Sequence, residues 1–356
     1  MSLLHTPLQA GDLHLSNRIV MAPLTRSRAG RSHIPNAMMA EYYAQRASAG
    51  LVISEATMVA ADGCAFTAEG GIFDQACVDG WRAVTDAVHA RGGLMQIQLF
   101  HPGRAAHSLL NAGTQPISSS ARAITGSTIS TPEGPQAYET PRRLSEDELP
   151  GIVELFRQGA LRAKAAGFDG AQLHGAHGYL LDQFLRDSVN DRQDGYGGSI
   201  AKHARLLLEA TDAVIGVYGA GRVSVRISPL VAFNDIADSD PEALVAYLAR
   251  ELDRRQIAFL ELRHADHREP AEQRLAAIAR EQFRGRLFLN GGYDQASGEA
   301  ALASGAADAI VYGKPFLSNP DLVKRFARGA ELAPVDFSRL YTPGPAGYTD
   351  YPALAD

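Results

Sequence analysis

His174, His177 and Tyr179 sit together in LHGAHGYLL, and their chemistry is complementary. Two imidazoles can donate hydrogen bonds to a substrate oxygen that gains negative charge in a transition state. A phenol with its ordinary pKa of about 10 stays protonated at neutral pH and can hand its proton to a developing carbanion. A His-x-x-His pair can also ligate metal, but zinc sites want three or four ligands and no carboxylate or cysteine completes a set nearby. A structural histidine pair is the remaining reading.

Arg226, in VSVRISP, stands among apolar neighbours, where an unpaired guanidinium is costly, so it wants an anion. A buried carboxylate such as Glu55 is one candidate; a cofactor that becomes anionic is another. Gln98 and Thr25 are short neutral hydrogen-bonders suited to the polar edge of a bound ring, or to backbone groups. Asn290-Gly291-Gly292 and Gly313-Lys314 follow two late apolar runs. Such glycines let a backbone approach a phosphate and Lys314 adds charge, although either loop alone also reads as a plain turn.

What must position these groups is a set of eight short apolar runs with helical stretches between them. They cover 18–25, 51–57, 93–100, 170–174, 223–229, 259–263, 287–290 and 309–312. Eight strand-helix units predict a (β/α)8 barrel, an α/β fold whose chemistry gathers at the C-terminal ends of its strands. Thr25, Glu55, Gln98, His101, Arg104, His174, His177, Tyr179, Arg226, His264 and Asn290 fall at those ends. An open doubly wound sheet is disfavoured, because no GxGxxG follows the first strand. After Ser145, which has capping-box spacing to Glu148, a helical stripe runs through Ile152, Leu155, Phe156, Gly159, Ala160 and Ala163. The stretch 101–143 is too long for an ordinary loop and predicts a lid or hairpin over the barrel mouth.

Composition sets the outer bounds. The chain of 356 residues is 46% hydrophobic and 21% charged, and residues 1–356 are expected to form one domain. A net charge of −6 with dispersed basic residues argues against nucleic acid or an anionic membrane as partner. No signal-like start and no bilayer-length apolar run is present, so a soluble cytoplasmic protein is expected. Cys64 and Cys77, without CxxC spacing, read as ordinary reduced thiols rather than a disulfide framework, zinc or iron-sulfur ligands.

Taken in order, MAPLTR (21–26), EYYAQRASAGLVISEAT (41–57), QLFHPGR (98–104), HGAHGYLLDQFL (174–185), DGYGGS (194–199), VRISP (225–229), GGYD (291–294), NPDLV (319–323) and GYTDYP (347–352) resemble the old yellow enzyme family. The resemblance is strongest to its bacterial branch, the one that includes pentaerythritol tetranitrate reductase. It runs nearly end to end and implies a noncovalent FMN. By that resemblance Pro23, Leu24, Thr25, Ala56, Gln98 and Arg226 surround the isoalloxazine, while Gly291, Gly292, Gly313 and Lys314 hold the phosphate. It further implies that His174 and His177 grip the acceptor oxygen, that Tyr179 donates the proton, and that Phe66, Phe100 and Tyr341 line the substrate pocket. Phe100 replaces a usual tryptophan and Lys314 a usual arginine, so substrate range and FMN affinity are expected to differ. IAKHAR after DGYGGS and Gln193 are further departures, peripheral to the chemistry.

The leading expectation is an FMN-dependent ene-reductase. NADPH or NADH supplies hydride, and an α,β-unsaturated carbonyl or nitro compound receives it through flavin N5. A nitroester, nitroaromatic or quinone reductase on the same site is the alternative. A metal-dependent barrel hydrolase and a non-catalytic flavin-binding protein are weaker ones. The iron-sulfur subfamily is disfavoured by the missing cysteines, and monomer and homodimer are both open.

Overall fold

The eight apolar runs fold as parallel strands that close on themselves. The computed structural model describes residues 2–355. The strands are β1 (Ile19–Met21), β2 (Leu51–Met58), β3 (Met95–Phe100), β4 (Gly170–Gly175), β5 (Val223–Ile227), β6 (Phe259–Arg263), β7 (Arg286–Asn290) and β8 (Ala309–Tyr312). Each pairs with the next in sequence, and β8 pairs with β1, which is a (β/α)8 barrel.

The first run was expected to continue to Thr25, but the ladder ends at Met21. Ala22 still gives its N–H to the Tyr312 carbonyl at 3.0 Å. Pro23 then has no N–H to offer, so Pro23, Leu24 and Thr25 lie in the loop at the barrel mouth. Register sets the levels inside the barrel: Gln172 lies opposite Gln98, His174 opposite Arg226, Arg226 opposite Glu261, and Arg263 opposite Asn290.

Helices clothe the outside with the faces their periodicity predicts. In the helix Leu149–Ala165, Ile152, Phe156, Gly159, Ala160 and Ala163 are buried. Gly159 is there for closeness, since a Cβ would stand 2.9 Å from Val59 Cγ1. At the helix entrance the Glu148 carboxylate takes the Ser145 N–H at 2.8 Å, the return half of a capping box.

Two additions close the barrel's ends. An N-terminal antiparallel hairpin, Leu8–Ala10 with Leu13–Leu15, turns at Gly11 (φ +57) and packs its leucines against Val20, Ile53, Phe259 and Phe288 at the bottom. At the other end, the excursion after β3 carries an antiparallel hairpin, Thr128–Thr131 with Gly134–Ala137, on a stem where Ile117–Ser118 pairs with Arg142–Arg143. Among the described residues no helix is long and apolar enough to cross a membrane.

Candidate active site

A cavity of about 310 Å3 opens at the C-terminal end of the barrel. Pro23, Leu24 and Thr25 line it from the loop after β1, Ala56 from β2, Gln98 from β3, His174 from β4, His177 and Tyr179 from the loop beyond, and Arg226 from β5. Phe66, Lys314 and Tyr341 complete the expected residues on its wall. Gly291, Gly292 and Gly313 lie at the loops after β7 and β8 rather than on this wall. Phe100 is not on the wall either. It is fully buried behind it, its ring edge-on to Tyr179 at 4.6 Å and 5.9 Å from His174, so it fixes those two rings instead of meeting a ligand.

A polar chain inside the barrel orients the floor. Gln98 Nε2 donates to Gln172 Oε1 at 2.7 Å, and Gln172 Nε2 donates to Glu261 Oε2 at 2.9 Å. Glu261 Oε1 then faces Arg226 Nε at 3.4 Å, while Arg226 Nη2 donates to Asn290 Oδ1 at 3.1 Å. Asn290 is held in turn by the Val311 carbonyl at 2.5 Å. Glu261, not Glu55, is therefore the carboxylate beside Arg226. Glu55 sits at β2, where its carboxylate accepts the Arg26 N–H at 3.5 Å and burial raises its pKa to about 7. The ion pair is incomplete: Arg226 Nε and Glu261 Oε1 are shielded from solvent yet make no hydrogen bond.

His174 is the penultimate residue of β4, so it is placed by the ladder itself, whereas His177 hangs from the loop. His177 adopts φ +58 and Gly178 φ +71, a left-handed pair that swings the chain back across the mouth. Strain at His177 is held by its N–H to Ser228 Oγ at 2.8 Å and by the Asn234 amide on its carbonyl at 2.9 Å. Gly178 donates to Asp182 Oδ2 at 2.9 Å, and Asp182 is locked to Arg186 at 2.7 Å in a buried pair. Tyr179 precedes the helix Leu180–Leu185 and points between two spaces, the cavity just described and a second one of about 570 Å3 under the hairpin.

Burial, with Arg226 next, drives both imidazoles well below the ordinary histidine range, so they are neutral donors and not cations at pH 7. Burial, reinforced by Glu69, raises the Tyr179 phenol and keeps its proton in place, while the nearby Asn234 side chain eases its ionisation. The site thus pairs two neutral imidazoles with a protonated phenol.

The remaining strand-end residues do other work. His101 Nδ1 accepts the Gly103 N–H at 3.1 Å and the ring faces a different cavity, its pKa pushed down to about 4 by burial. Arg104 holds the carbonyls of Asn234 and Asp235 at 2.9 and 2.6 Å. His264 is paired with Glu272 at 2.9 Å. Among the described residues no group of three or more histidine, cysteine or acidic side chains is arranged to hold a metal.

Several lining residues had no assigned role in the sequence. Phe233 comes from the loop after β5, and Phe337 and Leu340, beside the expected Tyr341, from a C-terminal segment with no strand of its own. That segment is fastened over the mouth by two arginines: Arg26 reaches the carbonyls of Leu340 and Gly347, and Arg28 those of Arg339 and Leu340. Lys314 stands below it with its ammonium 5.7 Å from the Phe337 ring and, among the described residues, no hydrogen-bond or ion-pair partner.

The chain matches the family described as NADH:flavin oxidoreductase / NADH oxidase over residues 3–333. It is 46% identical over 353 residues to a probable flavin mononucleotide-dependent alkene reductase of Leishmania infantum, covering 98% of this chain and 96% of that protein. Morphinone reductase, solved in complex with tetrahydroNAD, superimposes with a TM-score of 0.95 at 43% identity, covering 99% of this chain and 98% of that one. The old yellow enzyme homologue from Zymomonas mobilis gives the same TM-score, 0.95, at 43% identity, with 99% of both chains covered.

Proposed function

The chain belongs to the NADH:flavin oxidoreductase / NADH oxidase family, and from that premise we propose how its own residues divide the work. It is an FMN-dependent alkene reductase that draws its electrons from a nicotinamide nucleotide. The site suits that cofactor. Pro23, Leu24, Ala56 and Leu317 give apolar walls for a flat ring, Gln98 gives an amide for its polar edge, and Arg226 carries a buried Nε that makes no hydrogen bond among the described residues. Gly291 (φ +129) and Gly292 (φ +82) take conformations open to glycine, and Lys314, without an ion-pair partner among the described residues, is a cation beside them in the barrel order, as a phosphate would want.

Bound there, FMN would supply the hydride-transfer chemistry between nicotinamide and electron-poor alkene. The chain's residues do the rest. His174 and His177, neutral and converging on one cavity, donate hydrogen bonds to the carbonyl or nitro oxygen and so stabilise charge where it develops. Tyr179, protonated by its surroundings, delivers a proton to the carbon next to that group. Thr25 and Gln98 read the ring's polar edge, Gly313 lets the chain approach the phosphate, and Phe66 and Tyr341, stacked at 6.0 Å, border the acceptor. Cys64 and Cys77 are buried free thiols, which suits a reducing compartment, and we place the protein in the cytoplasm.

The single observation that carries this reading is the convergence of His174, His177 and Tyr179 with Thr25, Gln98 and Arg226 on one cavity. Anaerobic mixing of the FMN-loaded protein with NADPH or NADH, then with 2-cyclohexenone, tests it. Flavin absorbance should bleach and then recover with the enone. A protein with no flavin band after reconstitution, or one whose bleached flavin no enone reoxidises, contradicts it.

A further inference from the structure

Arg263 ends β6 in register with Asn290, the residue before Gly291-Gly292. Strand alternation puts it on the same face as Glu261, two residues earlier, whose carboxylate is bonded inside the barrel. Its guanidinium has no hydrogen-bond or ion-pair partner among the described residues, and Nη1 is shielded from solvent. The charged groups that act on it are Arg226, Glu261 and Glu272. Glu261 already faces Arg226, and Glu272 is committed to His264 Nδ1 at 2.9 Å and to the Ala265 N–H. Two guanidiniums therefore lie near one carboxylate that is not otherwise saturated. Burial and Arg226 together push the Arg263 pKa down to about 10, the mark of a cation that lacks an anion.

A partly buried cation with a shielded, unpaired Nη1 is unfavourable for the protein alone, so retaining one beside a cofactor site calls for an anion that arrives with the ligand. We propose that Arg263 is a second cofactor-anchoring cation, acting with Arg226 to hold the negative charge that the bound flavin ring gains on reduction. The inference rests on the FMN placement given above. The ring is favoured over the phosphate as its target because Asn290, level with Arg263, holds Arg226 at 3.1 Å, and Arg226 lines the ring cavity.

Arg263→Met keeps the length and removes the charge. The apoprotein should melt at a higher temperature, because an uncompensated charge is gone. Reduced FMN should lose about tenfold in affinity relative to oxidised FMN, equivalent to a midpoint potential about 30 mV more negative for a two-electron couple. Riboflavin, which lacks the phosphate, should show the same shift, and Arg263→Lys should restore most of it. A lower apoprotein melting temperature, or an unchanged potential, overturns the inference; a shift with FMN but not riboflavin overturns the assignment to the ring. Arg226→Met serves as the reference. If it moves the potential and Arg263→Met does not, only this inference fails, whereas no shift from either removes the flavin placement itself.

Discussion

Glu261→Gln separates what the barrel floor does for folding from what it does for the cofactor. Glu261 is fully buried, with Oε1 3.4 Å from Arg226 Nε and Oε2 accepting from Gln172 at 2.9 Å. At that 3.4 Å separation, two unit charges attract by roughly 5 kcal/mol at an effective dielectric constant of about 20. Neutralising the carboxylate also relieves its own desolvation, so the net loss on breaking such a pair is about 3 kcal/mol, the low end for buried pairs. The low end applies because Asn290 still holds Arg226, at 3.1 Å, and a glutamine still accepts from Gln172. The apoprotein should therefore lose about 3 kcal/mol in urea unfolding, with an unchanged denaturant slope. With FMN bound the loss should shrink, and the flavin midpoint potential should rise, because the released guanidinium is free to favour the reduced ring. Equal losses with and without FMN, or a potential that falls, would show that Arg226 and Glu261 are a folding pair with no bearing on the cofactor.

Three further outcomes follow from the same geometry. Gly291→Ala places a Cβ 2.5 Å from the His264 carbonyl oxygen at φ +129, so thermal unfolding should show a loss of roughly 3 kcal/mol with weaker FMN binding; wild-type behaviour would refute the close approach. Lys314→Ala should weaken FMN binding about tenfold and Lys314→Arg should tighten it, measured by flavin fluorescence quenching; tighter binding in the alanine variant would sink the phosphate role. Glu55 has its carboxyl raised from 4.5 to about 7, so the folded state holds the proton more tightly; that stabilisation is complete below pH 4.5 and is lost as pH climbs to about 7. Glu55→Gln removes the dependence, and its stability relative to wild type should grow by roughly 3 kcal/mol between pH 4.5 and pH 7.5; a difference flat with pH would refute the assignment.

The barrel was legible because each strand is a short apolar run bounded by polar or turn residues, and a parallel strand buried on both faces leaves that signal. Its bounds were less so. β1 stops four residues short of the expected Thr25, and the reason, Pro23, is itself in the sequence. The N-terminal hairpin was also written there, in the alternation of Leu8, Ala10, Leu13 and Leu15 about Gly11, but its strands are too short to stand out beside the barrel runs. Positions at the ends of several strands pointed to the cavity, since barrel topology gathers the strand ends, but Glu55, His101, Arg104 and His264 turn to other partners. What strand order cannot convey is contact between distant loops. Phe337 and Leu340 reach the mouth only because Arg26 and Arg28 tie down a segment more than 300 positions away, with Arg26 on the Leu340 carbonyl and Arg28 on that of Arg339. The choice of Glu261 over Glu55 as neighbour of Arg226 follows from register: adjacent strands bring Arg226 and Glu261 level, whereas Glu55 lies on the far side of the barrel order.

The central claim is that Tyr179 supplies the proton while His174 and His177 hold the acceptor. Anaerobic stopped-flow on Tyr179→Phe tests it most directly, because phenylalanine keeps the ring contact with Phe100 at 4.6 Å and removes only the hydroxyl. Flavin bleaching by NADPH or NADH should match wild type, and the affinity for a phenolic ligand should be nearly unchanged, while recovery with 2-cyclohexenone slows by about 10² to 10⁴-fold. Recovery at the wild-type rate would contradict the account.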